Sequence, residues 1–189
     1  MLSSGEFQEL RDRIAAQSDQ KAFARLYMGI QPYLRQFALA IIRNQELAEE
    51  IVSDVFIRIW QNRQKLSAVD NLKLYLYVST RNTALNYASR HLRKDTISLD
   101  EMQVTLNATP ATPEQLLITS EALRKVEAEI QKLPARCRLI FKLVREDGLK
   151  YKDIASLLDI SVKTIDNQMA IALKKIRMAL QCNLEKKNS

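Results

Sequence analysis

Residues 148–176 restrict the fold of this chain most strongly, because they read as two short helices joined by a tight turn. Apolar residues recur at helical spacing on both sides of the interruption Asp159-Ile160-Ser161. Ala155 is small where the second helix would cross, and the Ser161 side chain can cap that helix. The pattern predicts a helix-turn-helix; a helical hairpin that merely packs in a core is the alternative. The apolar positions are Ile154, Leu157, Leu158, Ile160, Ile165, Met169 and Ala172.

A helix-turn-helix inserts the first turns of its second helix into the DNA major groove. In this chain those turns carry polar side chains, which the motif would direct at base edges. These residues are Lys163, Thr164, Asn167 and Gln168.

The composition predicts helices for the rest of the chain too. Three Gly and four Pro among 189 residues leave little material for hairpins, and the common residues are good helix formers. The net charge of +7 suggests a polyanionic partner, with nucleic acid first and an anionic membrane surface second. Cys137 and Cys182 are too few and too far apart for a disulfide framework or a metal quartet. We therefore predict an all-α, soluble, cytoplasmic protein without a metal or cofactor.

The first third of the chain contains three candidate helices. Residues 6–16 form a weak amphipathic pattern, and a stronger one opens at Asp19. Pro32 lacks a backbone donor, so the sequence predicts a kink or restart there. The third helix, residues 45–62, follows a cap at Asn44 and carries two adjacent apolar rows with an acidic margin. So wide a face suggests contact with a partner as well as the core; ordinary core packing of Phe56 and Trp60 is the alternative.

Residues 72–78 alternate like a strand, but no second strand is present in the sequence to pair with them. A helix over about 71–91 is predicted instead, with Asn82 and Asn86 along one row and a basic end at Arg90. An amide-bearing face that ends in positive charge fits a nucleic-acid surface. A solvated helix with a charged C-terminal turn is the alternative.

Residues 95–123 contain no Lys or Arg, whereas the chain as a whole is basic. Thr, Asn, Ala and Pro dominate the middle of this stretch, which predicts an extended, mobile acidic linker with its own electrostatic task. A solubilising tether without function is the alternative. A new helix is predicted to begin at Thr112, with Pro113 in its first turn.

Three blocks of the sequence resemble the extracytoplasmic-function (ECF) group of sigma-70 RNA polymerase sigma factors. They are residues 19–62, which include AEEIVSDVFIRIW, residues 75–87 (YLYVSTRNTALNY) and residues 133–177, which include the helix-turn-helix. The resemblance implies two helical domains joined by a flexible acidic linker. It divides the chain into an N-terminal extension (1–18), sigma domain 2 (19–94), a linker (95–112), sigma domain 4 (113–182) and a tail (183–189).

The resemblance implies a promoter-specificity subunit whose partners are core RNA polymerase and promoter DNA. The helix at 45–62 would dock on the coiled coil of the β′ clamp through Glu49, Asp54, Phe56, Ile57 and Trp60. The −10 element would be read as single-stranded DNA, with a base flipped into a pocket formed by the loop at 65–71 and the following helix. The −10 candidates are Lys65, Asn71, Asn82, Asn86 and Arg90. Tyr75 and Tyr77 could add stacking; packing within the domain is the alternative.

The same resemblance assigns the −35 element to the helix-turn-helix. Its candidates are Ser161, Lys163, Thr164, Asn167, Gln168, Lys174 and Lys175, of which the last two are better placed for phosphates than for bases. The helix through Leu139, Phe141 and Leu143 would contact the β flap. An anti-sigma factor, commonly membrane-anchored, is a further implied partner, whereas this chain itself is not expected to insert into a membrane.

Two residues depart from the family pattern. Asp159 occupies the turn where relatives usually have Gly, and Asp tolerates the left-handed conformation at some cost. Asp166 lies where relatives often carry a basic residue, which leaves the −35 base preference open. A stand-alone helix-turn-helix regulator is the competing function. An enzyme finds little support, because the single His91 lies in a basic run and no Gly-rich phosphate loop exists.

Overall fold

The structure is a computed structural model that describes residues 2–91 and 126–187, and these form two compact units. Every regular element in the two described ranges is helical, which confirms the predicted all-α fold. No helix in these ranges is long and apolar enough to cross a membrane. The predicted linker (95–112) and the helix start at Thr112 lie outside the described residues. The domain boundaries derived from the resemblance stay predictions.

Within residues 2–91 the first unit contains four α-helices with a short 3₁₀ segment, Arg63–Ala68, between the third and the fourth. Polar residues start all four helices by accepting hydrogen bonds from backbone N–H groups of the first turn: Ser3, Asp19, Asn44 and Asn71. Glu6 bonds back to the Ser3 N–H and completes a capping box. The helices are α1 (Ser4–Gln17), α2 (Gln20–Ile42), α3 (Gln45–Gln61) and α4 (Leu72–His91).

Helix α2 lies at the centre of this unit and packs against α1, α3 and α4. Its apolar stripe is fully buried, and Phe37 meets Tyr77 of α4 with ring centroids 5.2 Å apart. Helix α1 buries Phe7, Leu10 and Ile14 and also packs on the 3₁₀ segment. The first helix of the chain is thus part of the core of this unit.

Two local expectations were wrong. Helix α2 continues through Pro32 without a restart. Pro32 and Met28 are both exposed, so the Met28 carbonyl that loses its intrahelical donor lies on a solvent-facing side, while Ile30 and Leu34 hold the helix to the core. The loop expected after α3 is not open throughout either, because residues 63–68 form the 3₁₀ segment around the buried Leu66.

The second unit contains helical residues 126–131, α5 (Ala135–Arg145), α6 (Tyr151–Leu158) and α7 (Val162–Lys187). Pro134 directly precedes α5, and Gly148 takes the left-handed conformation after it, with φ of 59°. Helix α7 runs to Lys187, so most of the segment expected as a tail is helical. Lys142 and Asp147 form a fully buried ion pair of 2.6 Å between the end of α5 and the following turn.

Candidate functional site

An apolar groove of about 570 Å³ lies between α2 and α3 on the first unit. Two of its residues are unusually exposed for large apolar side chains, since Met28 is 75% and Ile57 55% accessible. A contiguous apolar surface of this kind is typical of a protein-docking site. The groove is lined by Phe23, Ala24, Tyr27, Met28, Ser53, Phe56, Ile57, Trp60 and Gln61.

The aromatic residues of the groove belong both to the core and to the surface. Phe56 is 3% exposed and packs edge-on against Phe23 and Tyr27, with centroid distances of 5.7 and 4.8 Å. Trp60 is partly exposed, lies 4.8 Å from Phe23 and stacks under the guanidinium of Arg63 at 4.7 Å. Phe56 therefore forms the floor of the groove, and Trp60 forms one wall. Of the apolar residues predicted to bind the polymerase, Ile57 is the one that protrudes.

The acidic candidates lie beside the groove on α3, where two of them already have partners within the chain. Glu49 is exposed and bonds to Arg35 at 3.0 Å. Asp54 accepts a hydrogen bond of 2.7 Å from the Tyr87 hydroxyl, which also lies 3.2 Å from Glu50. Sequence reasoning missed this role of Tyr87, because the partners lie on different helices and 33 residues apart.

The hydrogen bond from Tyr87 to Asp54 is the main reason why the pKa of the Tyr87 phenol rises from 10.0 to about 12, and burial and the charges of Asp54 and Glu50 add to it. The folded protein therefore keeps this proton at a pH where the unfolded chain loses it. The stabilisation is complete below pH 10 and is lost as the pH rises through about 12.

We expect an ultraviolet titration of the tyrosines to contain a late-ionising component that disappears in Tyr87→Phe. Tyr75→Phe is the matched control, since Tyr75 is an exposed tyrosine on the same helix. The late component should persist in that control variant. Its survival in Tyr87→Phe would contradict the assignment.

All five candidates for the −10 element are exposed. Asn71 begins α4, because its side-chain oxygen accepts a bond of 3.0 Å from the Leu74 N–H. The stacking role considered for Tyr77 is wrong, since this ring is fully buried against Phe37; Tyr75, at 40% exposure, stays a candidate. The five candidates are Lys65 in the 3₁₀ segment and Asn71, Asn82, Asn86 and Arg90 at and along α4.

The helix-turn-helix has the geometry that its sequence predicts. Asp159 takes the left-handed conformation with φ of 55° in the turn, and Ser161 begins α7 by accepting a bond of 3.0 Å from the Thr164 N–H. The Ser161 and Thr164 hydroxyls lie 2.8 Å apart, so both serve the cap. Ile165 and Met169 are buried against the rest of the unit. The structure therefore leaves exposed the face of α7 that carries the polar side chains of its first turns.

Most of the −35 candidates lie on that exposed face. Lys163, Asn167, Lys174 and Lys175 are exposed, as is Asp166. Thr164 and Gln168 are partly exposed, and the Gln168 carbonyl accepts a hydrogen bond from Cys137 Sγ at 3.2 Å.

The predicted flap contact through Leu139 and Leu143 needs correction. Both side chains are fully buried in the core of the second unit, and Phe141 is 8% exposed. A partner could not contact the first two without disrupting that core.

The two units match two protein-family models. Residues 26–94 match sigma-70 region 2, and residues 123–176 match sigma-70 region 4. The chain belongs to the sigma-70 family, and within it to the ECF group. It is accordingly an alternative sigma factor, a protein that directs transcription initiation.

Individual relatives agree with this assignment. The chain is 24% identical over 188 residues to the RNA polymerase sigma-H factor of Pseudomonas aeruginosa, covering 96% of this chain and 97% of that one. It is 23% identical over 185 residues to the ECF sigma-E factor of Escherichia coli K12, with coverage of 92% and 96%. A probable sigma factor of Xanthomonas campestris, RfaY, is 27% identical over 170 residues, which are 88% of this chain but 42% of that protein.

Two solved structures share the fold. CnrH, in complex with the cytosolic domain of CnrY, superposes with a TM-score of 0.53 at 19% identity and covers 94% of this chain and 98% of its own. The sigma factor RpoE of Bartonella quintana, in complex with the anti-sigma factor NepR, gives 0.54 at 21% identity, with coverage of 85% and 98%.

Proposed function

We propose that this sigma factor docks on the β′ clamp coiled coil of core RNA polymerase through the groove between α2 and α3. The exposure of Ile57 and Met28 beside an acidic helix edge is the observation that supports this most directly. A contiguous apolar surface that is exposed in the free protein is typical of a site that a partner protein covers. Glu49 and Asp54 would then contact basic side chains at the rim, and Trp60 would close the wall of the groove.

We propose that the −10 element binds along the start and the exposed side of α4. Asn71, Asn82 and Asn86 supply amides that can pair with the Watson–Crick edge of an unstacked base, and Lys65 and Arg90 supply positive charge for phosphates. Flipping one base costs a few kcal/mol, which these contacts must return. Binding therefore drives local melting, and no catalytic group is required of this chain.

We propose that α7 reads the −35 element as duplex DNA. Ser161, Lys163, Thr164, Asn167 and Gln168 lie in its first turns, where a recognition helix meets base edges. Lys174 and Lys175 lie three turns further on and fit phosphates.

Substitutions in the first turns of α7 and at Lys174 or Lys175 should reduce DNA affinity in different ways. Asn167→Ala should lower the affinity for the preferred −35 sequence by about tenfold and leave other sequences nearly unchanged, because an amide reads bases. Lys174→Ala should weaken binding to all duplexes and reduce the slope of log affinity against log salt by about 1. Duplex binding by the holoenzyme, measured over a range of salt concentrations, checks both. Equal sequence selectivity of Asn167→Ala and the unaltered protein would contradict the base-reading role.

We further propose an anti-sigma factor as an inhibitory partner, supported by the fold neighbour RpoE, which was solved in complex with the anti-sigma factor NepR. Such a partner would act in the cytoplasm, where polymerase and chromosome are, and could itself be held at the membrane. Coverage of the same groove would block polymerase docking.

Run-off transcription with purified core polymerase on a promoter library tests the proposed function. We expect start sites that depend on this protein, together with tight promoter binding in a mobility-shift assay only when core enzyme is present. Tight duplex binding by the free protein, with no core-dependent transcripts, would instead indicate a stand-alone helix-turn-helix regulator.

A further inference from the structure

The 65–71 loop, defined here as residues 65–71, is held by α1, a helix that precedes the sigma-70 region 2 match at residue 26. Arg11 of α1 donates a hydrogen bond of 2.8 Å from Nη1 to the carbonyl oxygen of Val69. The Arg11 side chain is 17% exposed, so this charged donor lies mostly inside the contact between helix and loop. Removing it would leave a partly buried carbonyl without this bond.

The orientation of Arg11 is itself fixed. Its Nε donates to Asp12 at 2.8 Å, which leaves Nη1 directed at Val69. Two nitrogen atoms of the Arg11 guanidinium therefore donate hydrogen bonds. Because the group is planar, the direction of one bond fixes the direction of the other. A lysine could reach the carbonyl, but it could not make both contacts in this fixed arrangement.

A second contact holds the chain just before the loop. Arg63 donates a bond of 2.7 Å to the Ser18 hydroxyl at the end of α1, and another of 2.9 Å to the Trp60 carbonyl. Between these contacts, Leu66 is 2% exposed and anchors the 3₁₀ segment in the core. The loop is thus fixed near its beginning by Arg63 and near its end by Arg11.

We propose that Arg11 is a positioning residue for promoter recognition: through Val69 it sets the conformation of the 65–71 loop and so the base preference at the −10 element. This inference rests on the proposed −10 role of that loop. A pocket that discriminates bases must hold its polar groups within a fraction of an ångström of the productive geometry. Arg11 does not touch DNA in this scheme and acts only by restricting the loop.

The test uses holoenzyme and four single-stranded oligonucleotides that differ in one base of a −10 element mapped by run-off transcription. Arg11→Met keeps much of the apolar stem and removes the donors, whereas Arg11→Lys keeps one donor. Arg25→Gln is the matched control. It removes the ion pair between Arg25 of α2 and Glu6 of α1, which is also an arginine contact to α1 but does not involve the loop. Affinity for core polymerase and thermal unfolding are measured for every variant.

We expect Arg11→Met to lower the affinity ratio between the best and the worst oligonucleotide by about tenfold, as for a charged hydrogen bond of moderate strength. Arg11→Lys should restore part of that ratio, and Arg25→Gln should keep it. Core affinity should change less than about twofold in each variant, since the docking groove is not involved. If Arg11→Met is too unstable to assay, a ratio in Arg11→Lys equal to that of the unaltered protein overturns the proposal.

Unchanged discrimination in Arg11→Met would overturn the positioning role while leaving the −10 assignment intact. Parallel losses of discrimination in Arg11→Met and Arg25→Gln would also overturn it, because they would indicate general destabilisation of α1. If the unaltered holoenzyme fails to discriminate the four oligonucleotides, the −10 role of the loop fails as well. The two failures are therefore distinguishable.

Discussion

Ile57→Glu should lower the affinity of this sigma factor for core RNA polymerase by about 100-fold or more. Ile57 is 55% exposed on α3 and protrudes at the groove, so its replacement costs the free protein little. In the complex the new carboxylate would be buried against the partner, which weakens binding. Removal of a central apolar anchor by itself commonly costs about 2 kcal/mol or more of binding free energy. Fluorescence titration of labelled protein with core enzyme measures the loss.

Ala16→Glu provides the control for that experiment. It adds the same charge at an exposed position of α1 that does not line the groove, so core affinity should stay within about twofold. Trp60→Ala would be a less decisive variant, because Trp60 also packs on Phe23 and Arg63 and its removal would destabilise the first unit. Unchanged core affinity of Ile57→Glu, with an intact fold, would exclude the groove as the clamp site.

The residues of α3 illustrate how much of the candidate site the sequence can predict. Spacing placed two apolar rows on one helix, and the structure confirms the helix from Gln45 to Gln61 and its Asn44 cap. Spacing did not distinguish Phe56, which is buried, from Ile57, which protrudes at the groove. That distinction depends on where α2 crosses α3, and a periodic pattern on one helix contains no information about its neighbour.

Hydrogen bonds between residues far apart in the sequence could not be predicted, for a related reason. The bonds from Tyr87 to Asp54 and from Arg11 to Val69 join residues 33 and 58 positions apart. Neither pair has a spacing rule, since each depends on how two elements meet in the folded unit. The helix-turn-helix was predictable because its determinants are local: the left-handed Asp159, the Ser161 cap and the apolar spacing all lie within one short stretch.

At Pro32, by contrast, tertiary packing overrides a prediction made from a local sequence rule. The rule predicts a break because proline removes one hydrogen bond and crowds the preceding turn. In α2 the cost falls on an exposed side, and the buried residues on both sides of Pro32 hold the axis continuous. Burial of several large side chains outweighs a local penalty of about 3 kcal/mol.

Asp147→Ala should destabilise the second unit by about 3–5 kcal/mol, the usual cost of removing one member of a buried ion pair. Lys142 is 1% exposed and would lose the 2.6 Å contact that Asp147 provides. The pair joins α5 to the turn at Gly148, directly before the helix-turn-helix, so duplex binding should fall together with stability. Hydrogen exchange, followed by mass spectrometry on the full chain, should show faster exchange in α5–α7 and little change in α1–α4.

The double variant Lys142→Met with Asp147→Leu distinguishes the effect of the buried charges from the effect of side-chain shape at these two positions. Replacing a buried pair by apolar groups of similar size is often neutral or stabilising, so exchange in α5–α7 should return to the level of the unaltered protein or below it. The Asp147 Oδ2 atom is buried without a hydrogen-bond partner among the described residues, which adds to the gain from removing both charges.

Slow exchange in Asp147→Ala itself would mean that the pair contributes little to this unit. Fast exchange in the double variant as well would mean that the shape of the site, rather than its charge, controls the end of α5.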